Sequence, residues 1–297
     1  MLLKFFIPLM LICRVVLVTP LPAQSTISAT DKYAYAANAG WINFRHDQPS
    51  SPNGVVVGEA YLSGYAYAAN FGWIHFGDSS PANGHSYQNN SATDYGVNHD
   101  SSGNLSGMAY GANIGWINFG WANATDSNRP RFDLITGRFL GYAYGANIGW
   151  IKLGTTFLKT DTMLCTDSDS DGIGDAWDKE QFGDTTTADD TTDTDGDGQS
   201  DFAEYQAQTD PNDESHYLDI VSHRLKANAT ELDVDFTSQP SRLYILETSE
   251  TMAEPWDDAG LGMFSPDTGA VTSKTISIPQ SSTRKFVRVR PVKPLQP

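Results

Sequence analysis

Two acidic segments of the chain carry oxygen-bearing side chains at a spacing that suits a divalent cation. The first runs from Asp167 to Asp178 and the second from Asp193 to Glu204, and both place carboxylates at positions 1, 3, 5, 9 and 12 with glycine at position 6. Ca²⁺ takes about six to eight oxygen ligands, and alternating aspartates on a tightly turned loop aim their side chains at one centre. We therefore expect two calcium sites. Their carboxylate ligands are predicted to be Asp167, Asp169, Asp171, Asp175, Asp178, Asp193, Asp195, Asp197, Asp201 and Glu204.

Other loop positions complete each predicted ligand set. Ile173 and Gln199 stand at position 7, where such loops supply a backbone carbonyl oxygen. At position 12, Glu204 is long enough to bind with both oxygens, whereas the shorter Asp178 predicts a weaker or reshaped first site. A solvated acidic linker is the alternative interpretation. We call the acidic residue at position 12 of each loop its closing acid. Chance seldom supplies both glycines and both closing acids in two segments that start 26 residues apart.

A short helix is expected to follow each loop and to carry its last ligand. The helices are predicted over Asp175–Phe182, which Gly183 ends, and over Asp201–Gln208, which stops before Pro211. The Thr- and Asp-rich segment 184–192 predicts no helix leading into the second loop. Aromatic side chains give both helices apolar faces that can pack together, namely Trp177, Phe182, Phe202 and Tyr205.

This arrangement of a loop followed by one helix resembles the thrombospondin type 3 repeats of bacterial surface proteins and, more distantly, the paired loops of dockerins. The resemblance covers about residues 165–213 and rests on the sequences of Asp169–Trp177 and Asp195–Tyr205, followed by Thr-Asp-Pro. It implies that the loop aspartates are calcium ligands in an extracellular spacer or anchoring module.

The distribution of charge also favours cation binding. The chain has 297 residues and a formal net charge of −17, and residues 161–214 hold eighteen acidic side chains against one basic residue, Lys179. Such a block repels itself unless cations neutralise it. Nucleic acid is excluded as a partner by the same argument, because phosphate binding requires positive charge.

The N-terminal half contains four copies of one phrase, which predicts a repeat domain over residues 24–154. Each copy alternates large and small residues, reverses at Asn-x-Gly and continues as Trp-Ile-x-Phe or a close variant, a pattern typical of a β-hairpin. We expect a small propeller- or barrel-like domain, with an open meander as the alternative. The copies are Tyr33–Phe44, Tyr65–Phe76, Met108–Phe119 and Tyr142–Leu153.

The four repeated tryptophans, Trp41, Trp73, Trp116 and Trp150, allow two interpretations. The first places them in core layers between neighbouring repeats, as is common in repeated hairpins. The second presents them to solvent with the neighbouring tyrosines as a platform on which sugar rings stack. We expect the first.

The whole chain is predicted to be mainly β. Short β-rich runs separated by Pro, Gly and Ser predict a C-terminal β-sandwich over residues 217–293, and residues 161–215 form the calcium-loop connector with its two short helices. The chain has two cysteines, Cys13 and Cys165, and Cys13 lies in an N-terminal segment that we expect to be removed. Cys165 is then the only cysteine left, so no disulfide can form within the chain.

The N-terminus predicts export. A short basic start, an apolar run from Phe5 to Val18 and small residues before a polar segment describe a signal peptide over residues 1–23. The apolar run is too short to span a bilayer comfortably, so no transmembrane segment is expected after cleavage. The protein is predicted to be secreted, extracellular or attached to the cell surface.

The leading functional hypothesis is a secreted or cell-surface calcium-binding structural or interaction protein. Calcium would rigidify the acidic connector between β modules, and the further partner would be an extracellular glycan or a surface protein. The alternative is a carbohydrate-binding, lectin-like protein that uses the aromatic repeats. We expect no enzyme, because the sequence contains no H-E-x-x-H spacing, no G-x-S-x-G and no glycine-rich phosphate loop.

Overall fold

The computed structural model describes residues 25–45, 54–123, 125–227, 230–278 and 285–296. Within them the protein is mainly β with two short helices, which confirms the predicted fold class. The predicted signal peptide, residues 1–23, lies outside the described residues. No helix in the described part of the chain is long and apolar enough to cross a membrane.

Thirteen short strands form the N-terminal half of the described chain. They are β1 Ile27–Ala36, β2 Gly40–Asn43, β3 Val55–Val57, β4 Tyr61–Ala68, β5 Gly72–Gly77, β6 Val97–His99, β7 Leu105–Gly111, β8 Gly115–Asn118, β9 Arg131–Phe132, β10 Phe139–Leu140, β11 Tyr142–Gly145, β12 Gly149–Lys152 and β13 Leu158–Thr160.

Eight of these described strands close into a barrel. The four repeats are the antiparallel hairpins β1–β2, β4–β5, β7–β8 and β11–β12, and each pairs with the next one along the chain. The last hairpin returns to the first, where Tyr35 of β1 lies opposite Lys152 of β12. Of the predicted forms, the repeats therefore adopt the barrel. Beyond residue 154, β13 continues the sheet by pairing with β1.

The barrel interior is filled by the small residues of one strand and the large residues of its partner. In the first hairpin, Ala34 and Ala36 face inward together with Ile42 and Phe44, and all four are almost fully buried. Because the side chains of a strand alternate between its two faces, residues between these positions must point outward.

The prediction that the repeated tryptophans form core layers is therefore wrong. Trp41, Trp73, Trp116 and Trp150 are between 39% and 51% exposed on the outer face of the barrel. The hairpin register explains this placement. Trp41 lies directly opposite Tyr35, and Tyr35 stands between the two inward-facing alanines of β1, so both aromatic side chains point outward. An interior enclosed by eight strands is only wide enough for side chains such as Ala, Ile and Phe, and the sequence assigns those types to the inner face.

The repeated asparagines join neighbouring hairpins. Asn113 Nδ2 donates a 2.9 Å hydrogen bond to the carbonyl of Phe71 in the preceding hairpin turn. Asn70 makes the equivalent bond to Ala39, and Asn147 makes it to Ile114. The asparagine of the Asn-x-Gly motif therefore connects turns around the barrel, in addition to its local turn role.

The connector and the C-terminal unit contain the remaining described elements. These are α1 Asp175–Gln181, α2 Asp201–Ala207, β14 Ser222–Leu225, β15 Glu231–Thr237, β16 Leu243–Ser249, β17 Asp257–Asp258, β18 Val271–Ser277 and β19 Phe286–Val292. The strands form two three-stranded sheets, β14-β15-β18 and β17-β16-β19. The sheets share one small core, as the predicted sandwich requires, made by Val234, Phe236, Tyr244, Leu246 and Ile276.

Replacing Asn113 by alanine should destabilise the barrel. The variant loses one bond between hairpins, so we expect the free energy of unfolding to fall by about 1 kcal/mol. Urea denaturation followed by tryptophan fluorescence measures the change. Asn90→Ala is the control, because Asn90 is exposed and makes no such bridge. Equal unfolding midpoints for the two variants would contradict the bridging role.

Candidate metal centres

The two acidic segments fold into loops of the same shape, each leading directly into a helix. Position 6 is Gly172 in the first loop, with φ of 93°, and Gly198 in the second, with φ of 97°. Only glycine adopts such values readily, so both glycines are required by the turn. α1 begins at Asp175 and α2 at Asp201, the ninth position of each loop, as predicted.

The first aspartate of each loop organises the turn through backbone hydrogen bonds. Asp167 accepts from Ser170 N at 2.7 Å and from Gly172 N at 3.1 Å. Asp193 accepts from Gly196 N at 2.8 Å and from Gly198 N at 3.0 Å. The two loops therefore share one hydrogen-bonding scheme, although their sequences differ at several positions.

The ninth residue of each loop accepts hydrogen bonds from the second residue of the same loop. Asp175 accepts from the amide and the hydroxyl of Ser168 at 2.8 and 3.0 Å. Asp201, which is fully buried, accepts from the same two groups of Thr194 at 3.0 and 2.9 Å. These bonds use both carboxylate oxygens of Asp201, which is therefore better suited to contact a cation through water than directly. In Asp175 they use Oδ1 alone.

Three carboxylates of each loop converge on a common point. Ligand atoms of Asp167, Asp169 and Asp171 lie within 4.8 Å of one another, and those of Asp193, Asp195 and Asp197 do the same. The structure thus brings together the first three predicted ligands at both sites.

The closing acids have buried oxygens without hydrogen-bond partners among the described residues. Asp178 is 1% exposed, and neither of its carboxylate oxygens accepts a hydrogen bond. Glu204 is fully buried; its Oε1 accepts from the hydroxyl of Thr209 at 3.0 Å, whereas Oε2 accepts none. Three further oxygens are buried and accept no hydrogen bond, namely Asp171 Oδ2, Asp195 Oδ2 and Asp197 Oδ2. Buried oxygens of this kind cost free energy unless a donor or a cation meets them.

Burial, together with neighbouring carboxylates, raises the pKa of both closing acids. Burial raises the pKa of Asp178 to about 7, and repulsion from Asp171 and Asp169 adds to the shift. Burial likewise raises the pKa of Glu204 to about 7; the Thr209 hydrogen bond opposes the shift, and Asp195 and Asp197 add to it. A divalent cation among these groups would favour their charged forms.

The two residues at position 7 differ in their side chains. Ile173 is fully buried and belongs to a small core with Ala188 and Tyr205 beneath the loops. Gln199 donates from Nε2 to the carbonyl of Leu218 at 3.1 Å, which ties the second loop to the start of the C-terminal unit. Trp177, Phe182 and Phe202 pack against the same core, as their positions on the helices predict.

A second candidate site is the outer surface of the barrel. Each repeated tryptophan packs edge-on or tilted against the tyrosine opposite it, with ring centroids 4.8–5.0 Å apart. All eight rings are between 37% and 51% exposed. We call this surface the aromatic belt, consisting of Tyr35, Trp41, Tyr67, Trp73, Tyr110, Trp116, Tyr144 and Trp150.

Aromatic residues from loops extend the belt. Phe157 packs on Trp41, Tyr95 on Trp116 and Trp121 on Trp150, with centroid separations of 6.1, 4.9 and 4.8 Å. His75 is half-buried beside the belt, and its Nδ1 lies 2.6 Å from the hydroxyl of Tyr95. Burial lowers the pKa of His75, with Asp78 opposing the shift.

Comparison of the chain with protein-family models, with curated proteins and with solved structures found no significant match.

The calcium-free protein should lose stability as pH rises from about 4 to about 7. In that range the unfolded chain releases protons that folded Asp178 and Glu204 retain, since their folded pKa values are raised to about 7. Urea denaturation of protein passed over a chelating resin, at pH 5 and pH 7.5, measures the effect. The double variant Asp178→Asn/Glu204→Gln should show a flatter dependence. An unchanged slope in that variant would assign the effect to other groups.

Proposed function

We propose that the protein is a secreted or cell-surface calcium-binding structural or interaction protein, in which one calcium ion at each acidic loop stiffens the connector between the barrel and the C-terminal unit. One observation carries the proposal. At the twelfth position of two equivalent loops, Asp178 and Glu204 present buried carboxylate oxygens that accept no hydrogen bond from the described residues.

The donor set suits calcium better than the other common divalent cations. Every side chain at the two centres that can bind metal offers oxygen, with no histidine or cysteine in either loop, and soft or borderline metals prefer nitrogen and sulfur. Ca²⁺ accepts larger and less regular coordination shells than Mg²⁺, including a carboxylate that binds with both oxygens. The two oxygens of Asp178 fit that role, whereas Glu204 offers Oε2 alone, because its Oε1 accepts from Thr209.

Calcium would be coupled to folding of the connector. Each loop brings ligand atoms of three carboxylates within 4.8 Å of one another, and Lys179 is the only basic residue in the region 161–214. A cation that binds only the folded form stabilises it, and the gain is largest where repulsion is strongest. A cation at these sites would account for the buried acids without any role in acid–base catalysis.

Calcium should bind two sites and raise the melting temperature. Extracellular modules of this kind bind with dissociation constants on the order of 10⁻⁴–10⁻³ M. Isothermal titration calorimetry should give a stoichiometry near two per chain, and differential scanning fluorimetry should show the thermal shift. Absence of both heat and shift at millimolar calcium would contradict the proposal.

Neutralising a closing acid should weaken one site selectively. We expect Asp178→Asn and Glu204→Gln each to lower the affinity of the affected site by at least about tenfold, or about 1.4 kcal/mol. Glu180→Gln is the matched control, because it removes one negative charge from α1 at an exposed position outside the ligand set. If the control weakened binding as much as Asp178→Asn, general charge and not ligation would explain the effect.

A second candidate function is carbohydrate binding by the aromatic belt, which the exposure of its tryptophans favours. Sugar rings stack on exposed aromatic side chains, and Trp and Tyr combine such a face with a polar group. The ligand would be a neutral polysaccharide, because residues 25–160 contain eight acidic and seven basic side chains, a formal net charge of only −1.

The double variant Trp116→Ala/Trp150→Ala should abolish retardation of the protein in gels that contain a neutral polysaccharide. Both side chains are 46% exposed, so the barrel should retain its fold, as circular dichroism can verify. Trp256→Phe in the C-terminal unit is the control. A glycan array without signal, together with unchanged tryptophan fluorescence, would remove this candidate.

A further inference from the structure

The end of α2 contacts the barrel and the C-terminal unit at the same time. The hydroxyl of Tyr205 donates to Glu59 Oε1, in the barrel loop between β3 and β4, at 2.7 Å. The same hydroxyl accepts a hydrogen bond from Lys293 Nζ, just beyond β19. Tyr205 is 2% exposed and Lys293 is 8% exposed, so most of this three-way contact is buried.

Gln208 makes a second bridge of the same kind. Its Nε2 donates to the carbonyl of Ser101, in the barrel loop between β6 and β7, at 3.0 Å. Its Oε1 accepts from Arg242 Nη1 of the C-terminal unit at 3.0 Å and also from the hydroxyl of Ser241. Gln208 is the C-cap of α2 in a left-handed conformation, with φ of 61°. Two side chains from one helical turn therefore each join both neighbouring modules.

Buried cations complete this contact region. Arg242, 7% exposed, donates to the carbonyl of Gln206 at 2.7 Å and to that of Tyr205 at 3.1 Å. These bonds satisfy carbonyls at the end of α2 that have no partner within the helix. Lys293, 8% exposed, forms an ion pair with Glu59 across the two modules. A buried ion pair tolerates little displacement, since separating the charges leaves each of them without compensation.

Both calcium loops adjoin this region. Glu204, the closing acid of the second loop, immediately precedes Tyr205 on α2. Trp177 of α1 packs on Tyr205 with ring centroids 5.4 Å apart. Gly174, at the N-cap of α1, lies so close to the Glu59 carboxylate that a Cβ atom there would collide with it. Residues of both loops and helices therefore lie in direct contact with Glu59 or Tyr205.

We infer that calcium at the two loops controls whether the barrel and the C-terminal unit are held in one fixed arrangement, through what we call the α2 junction. This inference rests on the proposed calcium binding and adds to it the contacts through which binding is relayed. Calcium at Glu204 fixes the position of α2, and α2 fixes both modules. The α2 junction consists of Tyr205 and Gln208 of α2, Glu59 and Ser101 of the barrel, and Arg242 and Lys293 of the C-terminal unit.

Two measurements on the full chain test the junction. In saturating calcium, scanning calorimetry should show the barrel and the C-terminal unit unfolding in one transition, and small-angle X-ray scattering should show one compact particle. After chelation, the transition should split in two and the radius of gyration should increase. If calorimetry shows that calcium binds but neither the unfolding transition nor the radius of gyration changes, the inference is overturned and the proposed calcium sites still stand. If calcium does not bind at all, the proposed function itself fails.

Junction variants provide the second arm of the test. Tyr205→Phe and Gln208→Ala should split the unfolding transition even in saturating calcium, while circular dichroism shows the folded content retained. Because coupling between sites is reciprocal, Lys293→Met should weaken calcium binding by about fivefold or more, although Lys293 is not a ligand. Lys226→Met is the control, since Lys226 makes surface ion pairs elsewhere in the C-terminal unit. Should Gln208→Ala, which leaves the buried ion pair in place, retain one transition and wild-type calcium affinity, the junction would not couple the modules.

Discussion

A carboxylate withdrawn from water must meet a positive charge or hydrogen-bond donors, and Asp178 and Glu204 meet too few of either among the described residues. The connector is built around this constraint. Its backbone amides are directed to Asp167 and Asp193, its ninth-position acids brace the loops, and the closing acids are buried by the helices that carry them. The folded shape therefore concentrates negative charge where a cation would offset it.

The barrel satisfies a different constraint, that of filling a narrow interior. Each repeat supplies alanine or glycine from one strand and isoleucine with phenylalanine or leucine from the other, so four similar hairpins fill the space without a large residue on every inner position. The aromatic side chains that remain face outward as the belt. The repeated asparagines then link successive turns, so one short phrase supplies the core, the outer surface and the contacts between repeats.

The connector and the barrel meet at α2. This helix carries part of a candidate metal centre and also part of the contact between modules. Its seven residues include the closing acid Glu204, the buried Asp201 that accepts hydrogen bonds from Thr194, and Tyr205, which contacts both modules. A helix so short gains little stability from its own hydrogen bonds. Its position therefore depends on what holds each end: the loop at its N-terminus and Arg242 at its C-terminus.

The sequence by itself determined the features that depend on local spacing. The two loops, their following helices and the hairpins of the repeats can be predicted because carboxylate spacing, glycine turns and strand alternation are properties of neighbouring residues. Tertiary structure decided the rest. Alternation shows which residues share a face but not which face lies inside, so the spacing of Trp41 and its equivalents does not predict their exposure. Closure of the barrel then placed alanine, not tryptophan, on the inner side. Glu59, Tyr205 and Lys293 meet only after three separate parts of the chain have folded, since contacts across 146 and 234 residues leave no local pattern.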